Sequence, residues 1–273
     1  MTIPFFKANQ NIVKPYALMD LDDTLFQTQR KIETWNLATA KPESLVCAAV
    51  NKQGEPLSFM SQRQARLFNW LLASTELIVV TARDRSEIER VKLPFNSWQV
   101  LTHGAIILDK NGALQTAWQQ HMYNKLAPLQ DKLQQLSQLF ANHSKNAASQ
   151  LLFTAHIDDF NDGSTTKSLT IYLAIKHAKK DHQALIDLAK KLPMLIRNFE
   201  QDFYVHVNAN NLAILPHAVH KRHAVQFLLE NHLGDERPSF GFGDSVADLP
   251  FLQLLDWYGM PSHGQLHDFV SSL

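Results

Sequence analysis

The stretch Tyr16-Ala17-Leu18-Met19-Asp20-Leu21-Asp22-Asp23-Thr24-Leu25 decides the fold. Four apolar residues stop abruptly at two carboxylates spaced two apart, the pattern of a strand buried on both faces that runs out into a polar loop. The same break recurs twice: Leu77-Ile78-Val79-Val80 runs into Thr81, and Phe240-Gly241-Phe242-Gly243 into Asp244. In open α/β sheets ligands bind beyond the carboxyl ends of parallel strands, so the three ends are expected to converge despite their separation in sequence.

Helical patterns lie between these runs. Residues 61 to 73 place Leu67, Phe68, Leu71 and Leu72 on one face, and residues 221 to 233 do the same with Ala224, Val225, Leu228 and Leu229, with Gly234 as the expected C′ residue. Residues 45 to 59 read as a hairpin turning at Asn51-Lys52-Gln53-Gly54-Glu55, and Val100 to Leu108 as a strand pair before the turn Asp109-Lys110-Asn111-Gly112. Alternating strands and helices predict an α/β protein with a doubly wound, mostly parallel, Rossmann-like sheet.

The middle of the chain has another texture. Leu126, Leu129, Leu133, Leu136 and Leu139 form one stripe of a long helix from about 121 to 142. Hairpin-like stretches follow near 151 to 176 and 194 to 215, with a helix around 181 to 192 between them that Pro193 terminates. This predicts a small α+β domain at 115–212 inserted into a core domain made of 1–114 and 213–273.

Of 273 residues, 45% are apolar and 19% charged, which is globular rather than disordered composition. Lys plus Arg equals Asp plus Glu at 26 each, so no overall field recruits nucleic acid or an anionic membrane, and neither is expected as a partner. Cys47 is the single cysteine; it makes no internal disulfide, and its neighbours Val46, Ala48 and Ala49 predict a small buried residue. Pro4 interrupts the apolar start of the chain, and no apolar run approaches the roughly 20 residues a bilayer span needs. The expected location is cytoplasmic; the oligomeric state stays open.

Asp20 and Asp22, set at the end of a buried strand, suffer desolvation and mutual repulsion, and so call for a metal ion or a proton. A calcium-binding EF-hand register from Asp20 fails, because Leu25 falls where glycine belongs and Lys31 where the bidentate glutamate belongs. Asp20-Leu21-Asp22-Asp23-Thr24-Leu25, the apolar run into Thr81, Lys221, and Gly243-Asp244-Ser245-Val246-Ala247-Asp248 resemble, in order, the four motifs of the haloacid dehalogenase superfamily of phosphohydrolases. The insertion between the second and third motifs resembles a C2-type cap, similar in plan to that of the sucrose-phosphate, trehalose-phosphate and mannosylglycerate-phosphate phosphatases.

The resemblance implies a magnesium-dependent phosphatase acting on a small phosphorylated metabolite through an aspartyl-phosphate. Asp20 would be the nucleophile and Asp22 the general acid and base. Thr81 and Lys221 would hold the phosphoryl group, and Arg83 the substrate. Mg2+ would lie among the Asp20 carboxylate, the Asp22 carbonyl and Asp244, with Asp248 supporting it. A helix cap is the competing role for Asp244, a surface ion pair for Arg83, and a solvated helix start for Lys221. The chain departs from relatives at Ala247, Arg222 and His103, where Asn, Gly and Asn are frequent. Tyr204, His206 and Asn208, alternating along one cap strand, and the polar hairpin end from His156 to Asp162 carry no committed role. Phosphotransfer to another hydroxyl and a catalytically silent phosphate-binding protein are the rival functions.

Overall fold

The computed structural model describes residues 13–37, 44–144 and 150–273. The chain divides into two compact units, one of Met1–Val79, Glu89–Ser97 and Leu228–Leu273, the other of Val80–Ile88 and Trp98–Phe227.

In the first unit the strand Tyr16–Met19 lies between two parallel neighbours, Glu76–Val80 and Ser239–Phe242, and Trp257–Gly259 continues the sheet beyond the latter, also parallel. Met19 is level with both Val79 and Phe242, so the three runs picked out by sequence end along one edge. Leu18, Met19, Ile78 and Val79 have no accessible surface, which is why these strands read as unbroken apolar runs. Glycine at 241 is required by close packing: a Cβ there would lie 2.5 Å from the carbonyl oxygen of Leu18.

The helix Gln62–Ser74 opens with a capping box: Ser61 Oγ accepts from the Gln64 N–H at 3.3 Å while Gln64 Oε1 accepts from the Ser61 N–H at 2.9 Å. Phe68 and Leu71 are its buried residues; Leu67, expected inward, is 41% exposed because it flanks the stripe they define. The predicted hairpin forms from Val46–Val50 and Pro56–Met60, with Asn51 Oδ1 accepting from the N–H groups of Gln53 and Glu55, and Gln27–Thr28 adds a third strand. A bulge at Cys47 to Ala49 leaves Cys47 only half-buried, not enclosed as expected.

In the second unit Gln99–Leu101 pairs antiparallel with Ile106–Leu108 before the expected turn at Asp109. The long leucine-striped helix is two helices, Thr116–Leu126 and Gln130–Ser144, because Pro128 lacks the N–H and imposes a tight turn at Ala127–Leu129. Leu126, Leu133 and Leu136 are buried as the stripe requires. Strands Leu151–Asn161, Thr166–His177, Asn211–Pro216 and Phe203–Asn208 form an antiparallel sheet in that spatial order. Its last strand in chain order begins with Asn211 after Phe203–Asn208, a hairpin that starts at 203 rather than 194 because Leu192–Met194 and Phe199–Asp202 are helical turns. Asp181 caps the intervening helix His182–Lys191 by accepting from the Ala184 N–H at 3.0 Å.

Leu173, Ile175, Leu212 and Ile214 on one face of this sheet share a core with Leu133 and Leu136. The period of two puts Tyr172, Ala174, Ala213, His156, His206 and Tyr204 on the opposite face. The helix Lys221–Asn231 follows the sheet and buries Ala224, Val225 and Leu228. Gly234 has no left-handed φ; its N–H instead donates to Tyr16 Oη at 3.0 Å. No helix among the described residues is long and apolar enough to cross a membrane.

Candidate active site

In the first unit the chain leaves the central strand at Asp20, whose N–H donates to the Phe242 carbonyl at 3.0 Å. The N–H groups of Leu25 and Phe26 both turn back to the Leu21 carbonyl, at 2.9 and 3.3 Å, so residues 21 to 26 coil tightly around fully buried Leu21. Asp23 takes φ 64°, a conformation that Asp tolerates better than most side chains, and pairs with Lys31. Burial pushes the Asp23 carboxyl up, with Lys31 opposing the shift. The coil places Thr24 so that its hydroxyl donates to Asp20 Oδ2 at 3.1 Å, which fixes the carboxylate's orientation. Asp22 is exposed, because the coil turns its side chain outward; it does not share the desolvation of Asp20 that its spacing suggested.

Asp244 follows the strand Ser239–Phe242. Residues 245 to 248 form a turn closed by the Asp248 N–H donating to the Ser245 carbonyl at 3.0 Å, so no helix starts at Asp244 and the helix-cap role falls away. Asp248 folds back instead: its Oδ2 accepts from the Ser245 N–H at 3.0 Å and from its hydroxyl at 2.8 Å. Two glycines make room, since a Cβ at Gly243 would lie 2.5 Å from Asp248 Cβ and one at Gly264 would lie 3.0 Å from Asp244 Cβ.

Asp20, Asp244 and Asp248 are 5%, 6% and 1% exposed, and one carboxylate oxygen from each lies within 4.8 Å of the others. At that separation two like charges repel by about 3.5 kcal/mol at an effective dielectric of about 20. A cation relieves all three repulsions at once, and an all-oxygen set suits a hard divalent ion. The residues therefore fit the divalent metal that the motifs imply.

The second unit holds Thr81, Arg83 and Lys221. The Thr81 N–H donates to the Val100 carbonyl at 2.8 Å, and its Oγ1 accepts from the Arg83 N–H at 3.2 Å, which leaves the hydroxyl proton available to an acceptor. Arg83 is half-buried, with its guanidinium donating to the Glu87 carbonyl at 3.5 Å. Lys221 is the first residue of its helix and only 7% exposed, which removes the solvated-lysine reading. Arg222, beside it, is half-buried.

Thr102, His103 and Gly104 take φ values of 51°, 56° and 98° in succession. The His103 N–H donates to the Thr81 carbonyl at 3.2 Å and the Thr102 N–H to that of Arg83 at 2.8 Å. A Cβ at Gly104 would lie 2.6 Å from the His220 carbonyl oxygen, so this turn presses directly on the entry to the Lys221 helix. His103 keeps some accessible surface, yet dense packing holds its imidazole well below the usual range, and nearby Lys221, His206, His156 and His220 act in the same direction.

Sequence reasoning missed a cluster here. His156 stacks on Tyr172 with centroids 4.1 Å apart and planes 7° apart, and its Nδ1 lies 3.5 Å from Asp84. The bond from His156 holds the Asp84 carboxyl well below the usual range, against the opposing effect of burial, with help from Ser86 and the Glu87 N–H. Burial pushes the Tyr172 phenol well up, and Glu87 and Asp84 add to the shift. No local signal marks these residues: positions 84, 103, 156 and 172 meet only in the fold.

Strand ends of a parallel α/β sheet that carry a buried carboxylate trio define an α/β protein with a candidate cation site. A profile of the haloacid dehalogenase-like hydrolases matches residues 73–259, and the chain belongs to that family. The resemblance drawn from the four motifs is thereby borne out. Among solved structures, a protein of Eubacterium rectale is 12% identical with a TM-score of 0.53, covering 94% of this chain and 91% of its own. The C-terminal domain of C. albicans trehalose-6-phosphate phosphatase is 15% identical with a TM-score of 0.50, covering 88% and 72%. The sucrose-phosphatase of Synechocystis, solved with sucrose and phosphate, is 12% identical with a TM-score of 0.49, covering 95% and 97%. At such identities the likeness is one of fold. No curated protein matches the chain.

Proposed function

We propose that this hydrolase is a magnesium-dependent phosphatase acting on a small phosphate monoester of a sugar or polyol. The observation that carries the reading is the buried trio Asp20, Asp244 and Asp248, with ligand atoms within 4.8 Å, in a member of a hydrolase family. The fold shared with trehalose-6-phosphate phosphatase supports the substrate class.

In this mechanism the Asp20 carboxylate attacks phosphorus in line. The bond from phosphorus to the ester oxygen breaks, and Asp22 gives its proton to the departing alkoxide. Asp22, now ionised, then takes a proton from water as the water attacks the aspartyl-phosphate, releasing inorganic phosphate and regenerating Asp20. The exposure of Asp22 suits a group that exchanges protons with leaving alcohol and incoming water. Thr81 donates its hydroxyl to the phosphoryl group, the Lys221 ammonium stabilises its charge, and Arg83 holds substrate. Asp20, the Asp22 backbone carbonyl and Asp244 would hold Mg2+, with Asp248 adding a third buried carboxylate while one of its oxygens stays on Ser245. When bound, the ion neutralises phosphoryl charge and orients the phosphorus for attack.

Residues 115–212 act in this reading as the cap that selects the organic part of the substrate, and the enzyme works in the cytoplasm on a soluble metabolite. The test is a panel of phosphorylated metabolites assayed for phosphate release with and without magnesium. Release from one or a few sugar or polyol phosphates, only with the metal, is expected. Activity that survives chelation, or transfer to an added sugar that outruns phosphate release, contradicts the reading.

A further inference from the structure

Thr102 and His103, two consecutive non-glycine residues at positive φ, and Gly104 at φ 98° make the one unbroken run of positive φ among the described residues. Such strain persists only where the surroundings over-determine it. On the backbone side, His103 and Thr102 donate to the carbonyls of Thr81 and Arg83, and Gly104 abuts the His220 carbonyl just before Lys221. On the side-chain side, the His103 ring meets the edge of Tyr172, with centroids 5.1 Å apart and planes at 79°.

Tyr172 lies on the strand Thr166–His177 and is 5% exposed. It also stacks face-on against His156, which reaches Asp84, three residues beyond Thr81, and Arg85 lies 3.4 Å from Asp158 on the same strand as His156. The contacts close a ring: Thr81 to His103 through the backbone, His103 to Tyr172 to His156 through their rings, and His156 to Asp84 on the segment that began with Thr81.

We propose that Tyr172 is a positioning residue: packed between His103 and His156, its ring locks the 102–104 turn and thereby sets the placement of Thr81 and Lys221. The inference rests on the phosphoryl-binding roles given above to those two residues. Tyr172 acts through them and touches no substrate. Ring contacts of this kind are of the same order as the strain they restrain. The low-lying His103 imidazole and the raised Tyr172 phenol keep both rings uncharged near neutrality, as a packing clamp requires.

The test uses the full chain with magnesium and an aryl phosphate. Tyr172→Phe keeps both ring contacts and should retain kcat within about twofold. Tyr172→Leu should lower kcat by roughly 10- to 100-fold with KM changed less than about threefold, because displacing groups that act on the transferring phosphoryl costs turnover first. His103→Asn, which tolerates the left-handed backbone, removes the clamp from its other side. It should lower kcat similarly, and the double variant should be no worse than either single.

An NMR titration of the His103 imidazole gives a readout independent of turnover: it should move up toward about 6.5 in Tyr172→Leu and stay low in Tyr172→Phe. Additive losses in the double variant, or an unmoved His103 titration in Tyr172→Leu, overturn the proposal. A Tyr172→Phe loss equal to that of Tyr172→Leu also overturns it, by assigning the role to the hydroxyl. A wild-type chain inactive on every phosphate ester sinks the phosphatase reading, and the His103 titration then decides the clamp alone.

Discussion

Replacing Asp248 by Asn should stabilise the metal-free protein and weaken metal binding, so that the gain in stability shrinks when metal is bound. Asp248 is one of three carboxylates whose ligand atoms lie within 4.8 Å, and each like-charge pair costs about 3.5 kcal/mol at an effective dielectric of about 20. Neutralising it removes two of the three repulsions. Local relaxation and solvent screen part of that cost in the metal-free wild type, so the measurable gain is smaller, about 1 to 3 kcal/mol. The turn survives, because the Asn carboxamide oxygen can accept both bonds now made by Ser245, at 3.0 and 2.8 Å. With metal bound this gain is offset, since losing the third negative charge should weaken affinity about 10- to 100-fold, equivalent to about 1.4 to 2.7 kcal/mol. Thermal unfolding in a chelator and in saturating magnesium, with calorimetric titration of the metal, reads both effects. A variant that melts lower in chelator and binds magnesium like the wild type would refute the reasoning and leave Asp248 as a structural brace for its turn.

Gly104→Ala should cost roughly 2 to 4 kcal/mol and reduce turnover, because it adds a left-handed penalty to a backbone clash 2.6 Å away; Gly112→Ala, at φ 79° with open space around it, should cost only about 1 kcal/mol. Equal melting temperatures for the two variants would contradict the account of the 102–104 turn. For Asp84, whose folded carboxyl is depressed by His156, the stabilisation is fully present above the unfolded value near 3.8 and fades as pH falls below it toward the folded value. Asp84→Asn should therefore be less stable than the wild type at pH 6, with the difference vanishing in strong acid; a pH-independent difference in denaturant midpoints would contradict this.

How much of this was legible depends on the range of the interaction involved. Apolar runs at 16–19, 77–80 and 240–243 identify themselves because strands buried on both faces have no polar positions, and the register confirms that the first ends level with the other two. The carboxylates after them are local to those ends, so the resemblance to the family's motifs could name Asp20, Asp22 and Asp244 around one ion, with Asp248 supporting it. The side chain of Asp22 could not be placed, because its outward turn depends on the coil around Leu21. The leucine stripe correctly marked Leu126, Leu133 and Leu136, but a stripe continues in register across a break that Pro128 alone announced. Leu67 failed for a related reason, since periodicity gives a face and not its width. The Tyr172 cluster was out of reach: its four positions span nearly ninety residues, and the left-handed state of His103 is imposed by its neighbours rather than by its own preference.

The central claim is that Asp20 is the nucleophile of a phosphatase. Phosphate release from an aryl phosphate, measured for the wild type and for Asp20→Asn in magnesium, tests it most directly. The account predicts magnesium-dependent release by the wild type and none above background from the variant, whose carboxamide cannot attack phosphorus. Full activity in Asp20→Asn would contradict it.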